Sequence, residues 1–241
     1  MNADPADNAH PDKSHKPLRG FLTTFALLVV IILVAPILMK GFYQALFVQT
    51  CFYLLMASML WNFRKEHTLL LWAFMLVIPF VVLDLWGIAS NSLTLLAFSQ
   101  MVLSFFLVLS MVIIAKKVLF ATDIDTNLIF GAIIIYLLAG IAWSKAYWLA
   151  NFFVPDSFKG LDEAQPGVHH LINAVTDQFN LFYYSFCTIT TLGLGDIVPL
   201  HQYVKTLTVL EAMFGQLFVA TIIAKMVAVW KPNQPKELPK G

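Results

Sequence analysis

The residues best suited to chemistry are Thr190-Thr191-Leu192-Gly193-Leu194-Gly195-Asp196, with Pro199 close behind. Gly193 and Gly195 sit two apart and accept positive φ without the Cβ penalty other residues carry. A backbone that alternates between ordinary and left-handed dihedrals aims successive carbonyls in one direction. Such a row of oxygens can replace the water shell of a cation. The hydroxyl of Thr191 adds an oxygen at one end, and the carboxylate of Asp196 attracts cations at the other. A pair of glycines two apart also marks ordinary tight turns, so the surroundings must decide between the two readings.

Those surroundings are specific. The run Phe182-Tyr183-Tyr184-Ser185-Phe186-Cys187-Thr188-Ile189-Thr190-Thr191 resembles the pore helix and filter entrance of the tetrameric potassium channel superfamily. The usual filter of that superfamily, T-V-G-Y-G-D, aligns with Thr191-Leu192-Gly193-Leu194-Gly195-Asp196. Gly215, nineteen residues beyond Asp196, falls where the family places a glycine hinge in its inner helix. The resemblance covers roughly residues 125–228 and implies K+ bound at the carbonyls of Thr191, Leu192, Gly193 and Leu194, with Gly195 closing the mouth. One pore loop per chain supplies a quarter of a filter, so the resemblance also implies a homotetramer. K+ is then the permeant ion, and no cofactor is expected.

Composition agrees with a membrane setting. The 241 residues are 59% hydrophobic and 12% charged, with the charges clustered, which is not the composition of a soluble core. About 20 apolar residues are needed to cross the hydrocarbon. Segments 21–39, 42–61, 68–86 and 93–115 meet or approach that length, as do 128–143 (extended to Trp148 if Lys145 snorkels) and 206–230. The apolar run 179–189 is too short to span and fits a re-entrant pore helix. The expected fold is therefore an all-α membrane protein with six transmembrane helices, a pore helix and a filter loop. Its divisions are a basic cytoplasmic segment 1–20, a four-helix unit 21–117, a pore domain 118–230 and a short tail 231–241. The run 21–39 is longer than a signal-peptide core and has no small-residue cleavage site after it, so it reads as a retained helix. The tail, with three prolines and three lysines, reads as disordered.

Orientation follows from the basic residues. Lys13, Lys16, Arg19, Arg64, Lys65, Lys116, Lys117, Lys231, Lys236 and Lys240 group on one side of the expected spans. Lys40, Lys145, Lys159 and Lys205 fall on the other, among Asp156, Asp162, Glu163 and Asp177. This bias puts both termini in the cytoplasm and the filter loop outside. All six tryptophans lie near expected span ends, as membrane-interface anchors do. The fourth helix, 93–115, contains no Arg or Lys at third positions. It therefore lacks the transferable charge through which a membrane field does work, and voltage gating through it is not expected. The plan resembles small prokaryotic six-helix ion channels with a sensorless first unit. An inner bacterial membrane and lipid contact are implied, and no nucleic-acid partner is expected.

Several further residues have two readings. Leu194 replaces the family's tyrosine and cannot donate its bracing hydrogen bond; Cys187 stands where some members carry a buried acid and otherwise reads as small packing. Asp196 is expected to bond Tyr183 or Tyr184, while Thr188 and Thr190 brace the filter entrance. Gly215 serves either as a gating hinge or as a site of close helix packing. Glu211, an intramembrane acid, is a regulatory candidate expected behind the filter. Lys225 is expected to snorkel at the inner interface, the alternative being a pore-facing charge that repels cations. Asp84, beside Trp86, reads as an interface anchor. Asp123 and Asp125 are expected to cap the fifth helix, and His169 and His170 to lie in a solvated outer turret. Cys51 and Cys187 suggest no disulfide framework.

Three functions follow: potassium-selective conduction, weakly selective cation conduction (motivated by Leu194 and Cys187), and a silent membrane subunit with a pore-like fold. An enzyme is not expected, since no nucleophile sits beside a base and no phosphate-cradling glycine loop follows a strand.

Overall fold

Hydrocarbon offers no hydrogen-bond partners, so a chain this apolar satisfies its backbone within helices. The computed structural model describes residues 19–34, 42–63, 67–119, 126–161 and 170–229. They form α1 (Arg19–Val34), α2 (Phe42–Phe63), α3 (His67–Ala89), α4 (Leu93–Leu119), α5 (Thr126–Phe153), α6 (His170–Ile189) and α7 (Gln202–Val229). Two short strands, β1 (Phe158–Lys159) and β2 (Val198–Pro199), pair antiparallel. Among the described residues, four segments are long and apolar enough to cross a membrane: Leu70–Ala89, Leu93–Leu119, Ile129–Phe153 and Gln202–Ala228. Within α1 and α2 the apolar stretches Leu22–Ile31 and Phe47–Trp61 are shorter. Most of the expected N-terminal segment, the aspartates Asp123 and Asp125, His169 and the tail 231–241 lie outside the described residues.

The bundle is organised around α5. It packs against α1, α4, α6 and α7, while α3 pairs with α4 and α2 with α1. Leu28, Leu55, Phe80, Phe106, Leu107 and Ile134 are fully buried in the shared core. Helix α7 differs sharply: 11% of its span is buried, against 56% for α5. Leu210, Met213, Leu217 and Val227 are exposed along it.

Helix α6 is longer than its apolar run indicates, opening at His170 rather than near Phe179. It is amphipathic, with Asn173, Asp177 and Asn180 among its apolar residues, so an apolar run records only part of it. His170 accordingly opens a helix instead of lying in a loop. At the other side of the turret, α5 continues to Phe153, five residues past Trp148, where Trp148 stacks on Phe152 with centroids 5.7 Å apart.

Two expectations about charged residues are overturned. Lys145 does not snorkel: it is 4% exposed, its ammonium donates to Gln178 Oε1 at 2.9 Å and stands 4.5 Å from the Phe52 ring centroid. Asp84 is not an interface anchor: it is 1% exposed. Its carboxylate accepts hydrogen bonds from Gln49 Nε2, from the Tyr53 hydroxyl at 2.6 Å and from Ser99 Oγ at 3.2 Å. The donors come from α2 and α4, and uncharged partners of this kind leave no trace in a count of basic residues.

Candidate ion-conduction site

The loop after α6 is shaped by how that helix ends. Thr191 N–H donates to the Thr188 carbonyl at 2.9 Å and Leu192 N–H to the Cys187 carbonyl at 2.8 Å, the paired bonds of a Schellman motif. Thr191 takes the left-handed position of that motif, with φ 59°. Glycine usually occupies it; a β-branched residue there is an outlier that costs about 1–3 kcal/mol and persists only where surrounding contacts hold it. Gly193 (φ 56°) and Gly195 (φ 77°) are left-handed as well. Left-handed backbone thus recurs at alternate positions along the loop. Leu192 and Leu194 are 62% and 59% exposed.

Each neighbouring element braces this loop. Gln216 Nε2 on α7 donates to Thr191 Oγ1 at 3.0 Å. The Tyr136 hydroxyl on α5 donates to the Ile189 carbonyl at 2.9 Å. The backbone of α7 at Gly215 lies against that same carbonyl, and a Cβ there would collide with it and stand 3.0 Å from Ile189 Cγ1. Gly215 is therefore a point of close helix packing. Gly140 on α5 plays the same part toward the Phe186 ring, 2.9 Å from where its Cβ would stand.

Behind the loop lies a buried polar knot. Glu211 on α7 is fully buried; it accepts from the Tyr147 hydroxyl at 2.6 Å and from Ser185 Oγ at 2.5 Å. Ser185 Oγ also lies 2.7 Å from the Gly140 carbonyl. The Tyr184 hydroxyl joins Thr208 Oγ1 on α7 at 2.7 Å. Three helices are thus held together by groups that bury their hydrogen bonds away from water, where an unpaired member is costly. Lys225, half-buried near the other end of α7, donates its ammonium to the Leu119 carbonyl at the end of α4.

The Asp196 side of the loop is tied down separately. Of the two tyrosines considered as partners for Asp196, Tyr183 makes the hydrogen bond, and this holds the Asp196 carboxyl below the usual carboxylate range. The Tyr183 hydroxyl also reaches Cys187, whose thiol is pushed up by burial. Thr190 Oγ1 donates back to the Phe186 carbonyl at 2.6 Å, and Thr188 bonds Tyr184. Strands β1 and β2 join the turret to the segment after Asp196, and Leu200 N–H donates to the Ser157 carbonyl at 2.8 Å. Gly160, with φ 92°, passes so close to the Asp196 carbonyl that a Cβ would collide with it.

Reasoning from sequence missed Gln216, Tyr136, Tyr147, Ser185 and Gly160. Gln216 and Ser185 lie inside runs that resemble the family, but nothing in spacing joins them to Thr191 or Glu211. Tyr147 is buried and Tyr136 half-buried on an apolar helix, and a tyrosine OH normally finds a partner when buried; that signal marks the residue without naming the partner.

No curated protein and no solved structure matches the chain. Residues 164–231, which hold α6, the loop and α7, match the ion channel family model. That match supports ion channel function in a membrane and points to a transport-type protein, not an enzyme.

Proposed function

We propose that the chain forms a homotetrameric potassium channel whose filter is Thr191-Leu192-Gly193-Leu194-Gly195. The observation that carries this reading is the left-handed backbone at Thr191, Gly193 and Gly195, alternating along an exposed loop at the C-terminal end of a helix. Carbonyl rings replace the hydration shell of the ion, and the helix C-terminus adds partial negative charge toward it. The same reading takes α1 to α5 and α7 as six spans and α6 as the pore helix, with both termini in a prokaryotic inner membrane's cytoplasmic space. Fourfold association would cover both the exposed apolar length of α7 and the exposed loop leucines.

Leu194 supports a second reading, weakly selective cation conduction, because its side chain contributes no hydrogen bond to brace the loop. The silent-subunit reading has less support, since the ammonium of Lys225 is engaged by Leu119.

Purified protein in liposomes, under a potassium-against-sodium gradient, tests this. Selective conduction sets the reversal potential near the potassium equilibrium value; a value near zero with robust current favours the second reading. Gly193→Ala is the control. A Cβ at Gly193 meets nothing within 4 Å in the chain, so within one chain this substitution acts through its left-handed φ. Unchanged conduction in that variant removes the filter assignment.

A further inference from the structure

The first four helices lack the charges of a voltage sensor, yet they hold a buried polar cluster that reaches the pore helix. Lys145 of α5 and Asp84 of α3 are 4% and 1% exposed, and the charge of Asp84 acts on Lys145. A buried ammonium is tolerated in such surroundings only when it is paired and hydrogen-bonded. Asp84 is itself held by Gln49 and Tyr53 of α2 and by Ser99 of α4. On its other side Lys145 bonds Gln178 of α6 at 2.9 Å and faces the Phe52 ring of α2. One cluster therefore joins α2, α3, α4, α5 and α6. Direct packing of α2 and α4 on α6 is sparse, so the first four helices reach α6 mainly through α5, and this polar link adds a specific bond to that packing.

We propose that Lys145, compensated by Asp84, is a positioning residue: through Gln178 it lets the first four helices set the seat of the pore helix. This rests on the filter reading given above. Gln178 lies eleven residues before Ile189, so a rigid α6 carries a displacement at Gln178 over about 16 Å to the start of the loop. The four-helix unit then acts as a brace on the filter, and satisfied buried networks of this kind specify a single arrangement.

The test uses the full chain in liposomes, with potassium flux and thermal unfolding in detergent measured side by side. Lys145→Met and Gln178→Leu are each expected to lower flux about tenfold, the scale of a lost hydrogen bond to a charged group. The double variant Lys145→Met with Gln178→Leu should lose no more than either alone, because both remove one link. Lys145→Arg, which keeps a buried cation with donors, should retain flux within about threefold of wild type. Asp84→Asn combined with Lys145→Met leaves no buried charge unpaired; it should regain the thermal stability lost in Lys145→Met without regaining flux.

A purely structural role gives the opposite result for that last pair, with flux returning alongside stability, and this overturns the proposal. So do losses that multiply in the double variant, or flux within about twofold of wild type in both Lys145→Met and Gln178→Leu. Should Lys145→Met fail to fold, Gln178→Leu, which leaves both charges in place, decides by its own flux. Failure of the filter reading is separate, because it shows as wild-type flux indifferent to Gly193→Ala.

Discussion

Replacing Gly215 with alanine separates its two sequence readings by sign. A hinge glycine in a helix interior costs about 1 kcal/mol relative to alanine, so on the hinge reading Gly215→Ala stabilises the protein by about that amount while slowing gating. The structure leads elsewhere. A Cβ at Gly215 collides with the Ile189 carbonyl and stands 3.0 Å from Ile189 Cγ1. The carbonyl cannot rotate away, since it belongs to the last residue of α6 and accepts the Tyr136 hydroxyl. Overpacking of this kind costs about 1–3 kcal/mol, and a backbone obstacle places it near the upper end. Subtracting the propensity gain of about 1 kcal/mol leaves a net loss of about 2 kcal/mol, about thirtyfold in the folding equilibrium. Denaturant titration of the purified protein, followed by near-ultraviolet circular dichroism, measures it. Because Ile189 is two residues from Thr191, flux should fall as well. A Gly215→Ala protein as stable as wild type, or more stable, refutes the packing argument.

Three other perturbations test the braces around the loop. Glu211→Ala removes the acceptor of the buried Tyr147 hydroxyl and one of the two acceptors near Ser185 Oγ, the Gly140 carbonyl remaining, and is expected to cost about 1–3 kcal/mol; Glu211→Gln, which keeps an acceptor, should cost less than half of that in the same titration. Tyr183→Phe removes the donor that keeps the Asp196 pKa low. A depressed pKa means that the stabilising bond is present above the ordinary carboxylate range and lost as pH falls through the lowered value. Proton inhibition of flux should therefore begin at higher external pH in Tyr183→Phe than in wild type, and identical pH profiles count against the Tyr183–Asp196 bond. Gly160→Ala combines a left-handed φ of 92° with a collision at the Asp196 carbonyl; hydrogen exchange should rise in residues 196–200, with α1 to α4 unchanged.

The spacing of Gly193 and Gly195 was enough to anticipate left-handed backbone at both, because only glycine takes that conformation without steric cost. Thr191 was not legible in the same way. Its positive φ arises from the closure of α6 on the Cys187 and Thr188 carbonyls and from the hold of Gln216 across 25 residues of sequence. The apolar lengths of α3, α4, α5 and α7 were likewise readable, since crossing hydrocarbon is a requirement on composition. The extent of α6 was not, because polar residues such as Asn173, Asp177 and Asn180 interrupt its apolar sequence.

What the sequence determined by itself is whatever depends on a residue and its near neighbours: apolar segments from hydropathy, six by that reading and four of them long enough among the described residues, a charge-poor fourth helix, and a glycine pair able to turn carbonyls one way. Tertiary structure alone decided who meets whom. It buried Asp84 and Lys145 where an interface anchor and a snorkelling lysine were expected, set Glu211 against Tyr147 and Ser185, and laid Gly215 on the Ile189 carbonyl. The physical reason is common to all of these. A buried polar group or a missing Cβ is stabilised by partners on other helices, and helix packing brings those partners together at separations no local pattern encodes.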